Sequence, residues 1–136
     1  MCSLIILASV IVQSFSRTSE AASCLRYGRV TLTGTLVRQT YPGPPDYEDV
    51  TKGDEPRVIW VLLLETGICV VDPDARYPRE HYQREIQLVV RSDQYTLYRS
   101  LLGKRIDVTG DLRRGGARDA KRLVIETEIT ARSHER

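Results

Sequence analysis

Val30-Thr31-Leu32-Thr33-Gly34-Thr35-Leu36 is echoed near the other end of the chain by Ile106-Asp107-Val108-Thr109-Gly110-Asp111-Leu112. Both phrases alternate apolar and polar residues, which is the period of a strand with one buried face. Each then sets a glycine where the strand would otherwise run on, and glycine inside a strand marks a bulge or a sharp bend. Two bent strands near the two ends of a small domain predict a sheet that coils and closes on itself.

Working outward, Val30 to Thr40 reads as a long first strand, broken by Tyr41-Pro42-Gly43-Pro44-Pro45-Asp46 and a polar stretch through Pro56. Val58 to Leu64 is apolar at both parities, as in a strand buried on both faces, with Trp60 in the core. Glu65-Thr66-Gly67 predicts a tight turn, with Ile68 to Val71 as the return strand of a hairpin. A loop to about Gln83 and a further strand from Glu85 to Val90 follow. Ser92 is the expected N-cap of one helix, whose apolar face is Tyr95, Tyr98, Leu101 and Leu102 and whose end is marked by Gly103. Arg105 to Leu112 is the second bent strand, and Leu123 to Thr130 the last. A helix ahead of the last two strands makes the expected class mainly β, a small OB-like coiled β-barrel with one short helix. Another small barrel or a β-sandwich is the alternative.

Composition bounds the rest. One domain is expected from 136 residues, and a net charge of +2 carries no field that implies nucleic acid or an anionic membrane. Leu4 to Val12 is almost purely apolar, too short to span a bilayer, and small residues follow at Ala21, Ala22 and Ser23. This reads as a signal peptide over residues 1–23 ahead of a single domain, 24–136, exported to the periplasm or secreted, with no transmembrane span after cleavage. No Lys or Arg precedes the apolar run, so an uncleaved membrane-proximal segment is the alternative, and a lipoprotein reading of Cys24 is weaker. Cys2 would leave with the signal. Cys24 and Cys69 then form an even pair, for which a disulfide is preferred over two buried thiols. Such a bridge closes about 45 residues, a constraint of ~4 kcal/mol in the chain-entropy model.

Several blocks carry a resemblance. They are Cys24-Leu25-x-Tyr27, the first bent strand, Pro42-Gly43-x-Pro45-x-Tyr47, Gly53-Asp54-Glu55-Pro56, Ile68-Cys69-Val70, Ile86-Gln87-Leu88-Val89 and Leu102-Gly103-Lys104-x-Ile106-x-Val108-Thr109-Gly110. In that order they resemble the family of small exported bacterial proteins catalogued as domain of unknown function 4431. The resemblance implies an exported OB-like barrel with its two cysteines paired, and no activity. Family members carry a histidine-rich turn after the second bent strand. This chain has Arg113-Arg114-Gly115-Gly116-Ala117-Arg118-Asp119-Ala120 there, so no metal or acid–base role carries over.

Chemistry is sparsely marked. No phosphate loop, nucleophile elbow or zinc-protease pair is present, and no cofactor, metal or catalytic residue is expected. His81 and His134 read as solvated, and Asp46, Glu48, Asp49, Asp54 and Glu55 as an exposed acidic loop rather than a calcium site. The candidate binding loops are Tyr41 and Tyr47 on one side and Arg113, Arg114, Arg118, Lys121 and Arg122 on the other. Tyrosines offer stacking and guanidiniums offer anion contacts. The reading is therefore a non-enzymatic exported binding or interaction module whose partner is an unknown envelope protein or small ligand. Binding of nucleic acid or another anionic polymer through residues 113–122 is the alternative, disfavoured by the near-neutral charge and by export, and an unrecognised enzyme comes third. Mature protein recovered from the cell envelope is expected to begin between Ala22 and Cys24 on N-terminal sequencing. Intact Met1 in the cytoplasm contradicts export.

Overall fold

The computed structural model describes residues 24–72 and 79–134. The proposed signal segment and its cleavage site lie outside them. Strands β1 (Leu25–Arg26), β2 (Gly28–Pro42), β3 (Pro56–Val71), β4 (Arg79–Leu88), β5 (Arg105–Arg114) and β6 (Leu123–Ser133) form one mixed six-stranded sheet. Helix α1 (Ser92–Tyr98) runs into a 3-10 turn at Arg99–Leu101, and a second 3-10 turn spans Val50–Lys52. The fold is mainly β with one short helix before the last two strands, as the sequence implies.

Strand β2 sets the plan. Its first half, Gly28–Thr35, pairs antiparallel with β5, and its second half, Thr35–Pro42, pairs antiparallel with β3. Strand β3 pairs in turn with β4, β4 runs parallel to β6, and β6 returns antiparallel to β5. Leu36, Trp60, Leu62, Ile86, Val108, Leu112, Leu123 and Ile125 are buried together as the core. Burial of this kind stabilises by roughly 1.5–3 kcal/mol per large side chain.

The glycines of the two echoed phrases answer different demands. At Gly34, β2 exchanges one neighbour for the other, and a side chain there would start closer than 3.0 Å to the Leu63 carbonyl oxygen. No register shift accompanies it. Gly110 faces the irregularity, but the extra residues belong to its partner strand. Thr109 pairs with Thr130 and Asp111 with Glu126, and Glu128 between them takes φ 48°. The bulge thus throws Ile125 and Ile129 against Gly110, where a Cβ would overlap the Ile125 methyl.

Two local expectations are corrected. No hairpin turn forms at Glu65-Thr66-Gly67, because β3 runs on as one strand of 16 residues. Strand β4 is correspondingly longer than expected, beginning at Arg79, and it follows β3 through register shifts between Leu63 and Val70. The bend that the turn signal suggested is absorbed by bulging. Val70 and Val71 have partners on both sides, pairing with β4 and also parallel with Leu25 and Arg26 of β1, and that tertiary pairing overrides a local turn preference. The helix N-cap is Arg91, one residue earlier than Ser92. Its N–H is bonded by the side chain of Gln94 at 3.0 Å, whose own amide nitrogen donates to Ile129 O at 2.9 Å. Gln94 is therefore the buried residue of the helix, while Tyr98, Leu101 and Leu102 pack on the core. Gly103 does end the helical segment, at φ 79°.

Cys24 and Cys69 are joined, with Cα atoms 4.8 Å apart, which ties the start of the described chain to the far half of β3. Among the described residues no helix is long and apolar enough to cross a membrane. Gly34→Val and Gly110→Val are expected to destabilise by more than the ~1 kcal/mol of strand propensity, on the order of 3 kcal/mol each, because backbone or core must move. Denaturant midpoints measure this, and a change under 1 kcal/mol at both sites contradicts it.

Candidate functional site

Strand register lines up Val37, Val61, Gln87, Val124 and Arg113 side by side across β2, β3, β4, β6 and β5. Trp60, Leu62 and Leu64 point from β3 into the core, so Ile59 and Val61 lie on its other face. That face is nevertheless dry: Val61 and Val124 are fully buried and Gln87 is 6% exposed. The segment between β5 and β6 covers it. Ala120 N–H donates to Gln87 Oε1 at 2.8 Å, and Gln87 Nε2 donates to Asp119 at 3.4 Å. The segment closes on itself through Gly115 N–H to Arg122 O at 2.8 Å and Gly116 N–H to Asp119 Oδ2 at 2.8 Å.

Most of the candidate cations face carboxylates. Arg113 bonds Asp119 and Glu126, each at 2.8 Å, and Glu126 foremost holds its guanidinium even more firmly protonated than usual. Arg114 reaches Asp72 at 3.4 Å. Lys121 pairs with Glu85 at 2.5 Å, and its ammonium stands 4.9 Å over the Tyr41 ring. Burial opposes the charge on Lys121, but Glu85 and Tyr41 outweigh it and raise the pKa. Lys121 in turn lowers that of Glu85, helped by Gln39. Arg118 and Arg122 are exposed.

The two candidate loops do meet. Arg57, at the start of β3, donates to Arg118 O at 2.5 Å and lies 5.9 Å from the Tyr47 ring. Tyr41 and Lys121 make the second contact. Arg57 Nε is buried without a hydrogen-bond partner among the described residues. Arg57, Gln39, Glu85, Gln87 and Asp119 are not among the site candidates that the sequence offers. No local pattern marks them, since each acts only through a strand or loop distant in the chain.

The acidic loop is organised from within. Asp54 is buried and accepts from Asp46 N–H at 2.9 Å, Glu48 N–H at 2.7 Å and Asp49 N–H at 2.8 Å. These donors pin Tyr47 at φ 61° between them. Asp49 caps the short 3-10 turn by accepting from Thr51 N–H. No cluster of three or more metal-ligating side chains occurs among the described residues. His134, expected to be solvated, instead pairs with Asp107 at 2.8 Å. Thr33 donates to the same carboxylate oxygen at 2.6 Å, so its hydroxyl is bonded to the acid and not to the imidazole. The side chain of His81 lies outside the described residues.

No family model matches this chain, and no curated protein matches it at a significant level.

Backbone donation, first from Asp46, then Asp49 and Glu48, lowers the Asp54 pKa below its ordinary 3.8. A depressed folded value gives stability that is complete above the unfolded pKa and is lost as pH falls through the folded one. Asp54→Asn is therefore expected to lower Tm at pH 7, with the gap to the parent closing below about pH 4. A gap that stays constant into acid contradicts this role.

Proposed function

We propose that this chain is an exported, non-enzymatic binding module built on an OB-like coiled barrel, with its binding surface where the Tyr41–Tyr47 and Arg113–Arg122 loops meet. The cycle of pairings from β2 through β3, β4, β6 and β5 back to β2, with a helix before the last two strands, supports the barrel. The joined cysteines are compatible with an oxidising compartment. The resemblance to the exported family of domain of unknown function 4431 points the same way. The observation that carries the site is Arg57, which bridges Tyr47 of one loop and the Arg118 carbonyl of the other. Loops gathered on a rigid sheet are the usual seat of recognition. The carboxylates facing Arg113, Arg114 and Lys121 favour a discrete partner over a polyanion track, because little uncompensated charge is left for counterion release.

Photo-crosslinking from position 47 or 118 in envelope preparations is expected to give one adduct of defined mass, absent when the crosslinker sits at Arg132 on β6. Its yield should hold between about 50 and 200 mM salt. Equal adducts from position 132, none from 47 and 118, or a steep loss with salt overturns the proposal.

A further inference from the structure

Strand β2 carries a free edge. Leu36 exchanges backbone hydrogen bonds with the other side, donating to Lys104 O at 3.1 Å and accepting from Gly103 N–H at 2.7 Å. In an antiparallel ribbon, residues facing one neighbour alternate with residues facing the other. Val37, Gln39 and Tyr41 thus bond β3, whereas Arg38 and Thr40 turn their N–H and C=O groups outward. Beyond Lys104 the chain of β5 has moved away, since its pairing with β2 ends at Thr35. No strand among the described residues meets Arg38 or Thr40 on that side.

Beside this edge lies a cleft of 360 Å³ lined by Arg38, Val58, Trp60, Tyr95, Arg99 and Leu102, among others. A neighbouring hollow along β2 shares Arg38, Val58 and Leu102 with it. The floor is apolar and shaped: the Trp60 and Tyr95 rings meet edge to face at 4.9 Å, and Val58 is 54% exposed. Its rim is cationic. Arg38 and Arg99 are exposed, neither has an ion-pair partner among the described residues, and no carboxylate lines the cleft. This contrasts with Arg113, Arg114 and Lys121, all matched by acids.

We propose that the β2 edge is a docking site for an extended acidic peptide of a partner protein, added as a further strand against Arg38–Thr40. Backbone bonds to the two outward residues fix the peptide, as in other strand additions. Arg38 and the cleft lie on one face of β2, so the peptide must present an apolar and an acidic residue two positions apart. The apolar side chain enters over Trp60 and Tyr95, and the carboxylate meets Arg38 or Arg99. A second copy of this chain fits less well, because it would bring a second Arg38 beside the first. This site is on the face opposite the loop surface proposed above and does not depend on it.

The probe is a fluorescein-labelled peptide, Thr-Asp-Thr-Phe-Thr-Asp-Thr, titrated into the protein and read by anisotropy and by amide shifts at Arg38 and Thr40. Saturable binding is expected. It should weaken by about tenfold or more in R38E/R99E, and likewise when the peptide carries N-methyl groups on the amides that face β2. R118E should bind as the parent does, and circular dichroism should show each variant folded. Thr40→Pro removes an edge donor without touching the bonds to β3 and should also weaken binding. No saturable binding, equal binding of the N-methylated peptide, or indifference to R38E/R99E overturns the proposal. So does a dimer by light scattering that R38E dissolves, which assigns the edge to a second copy.

Discussion

Strand β2 is too long for one partner, and the architecture depends on how it is shared. Its first half belongs to β5 and its second to β3, and the exchange takes place at Gly34 and Thr35. For the two partners to leave in different directions, the carbonyl of Leu63 must pass almost against the β2 backbone. Only a residue without Cβ leaves that room. Once β2 is divided, β3 and β5 are carried to opposite sides of it, and β4 and β6 complete the sheet between them. The same division leaves Arg38 and Thr40 without a strand on their outer side among the described residues.

The second phrase obeys a related constraint from the opposite direction. Gly110 lies in a regular pairing with Val30, and the distortion is in β6, where the chain takes extra residues near Glu128. That bulge re-aims Ile129 so that it is buried and offers its carbonyl to Gln94 and Tyr98 of the helix. A glycine on β5, a bulge on β6 and a buried glutamine on α1 thus form one arrangement. The polar side chain is accommodated because its hydrogen bonds are met.

On the outer face, a segment that reads as a basic turn acts as a cover. Val61 and Val124 would leave an apolar patch on the sheet beside Gln87, and residues 115–122 close over it, Ala120 N–H donating to Gln87 and Gln87 donating to Asp119. Lys121 of that segment pairs with Glu85, and at its base Arg113 pairs with Asp119 and Glu126 and Arg114 with Asp72. Arg113 is therefore part of the cover's attachment, and its loss would disturb the segment as well as any anion contact. Surface pairs of this sort are individually weak, and their value here lies in fixing where the loop sits.

Alternation in β2 and β5, the apolar run of β3, the αL glycine after the helix and the pairing of Cys24 with Cys69 were all legible in the sequence. Each is written in consecutive residues or in a simple count. The continuity of β3 through Glu65-Thr66-Gly67 was not, because the turn preference is local and the pairing that defeats it comes from β1 and β4. The meeting of Tyr41 with Lys121 follows the two loops that composition singled out, but Arg57, which joins them, carries no mark in its own neighbourhood. The sequence alone determined that the chain would form bent, alternating strands around one helix. The tertiary structure alone decided which carboxylates Arg113 and Arg114 meet, which glycine faces a bulge and which strand edge stays open. Those depend on distances between residues far apart in the chain, and no local pattern encodes them.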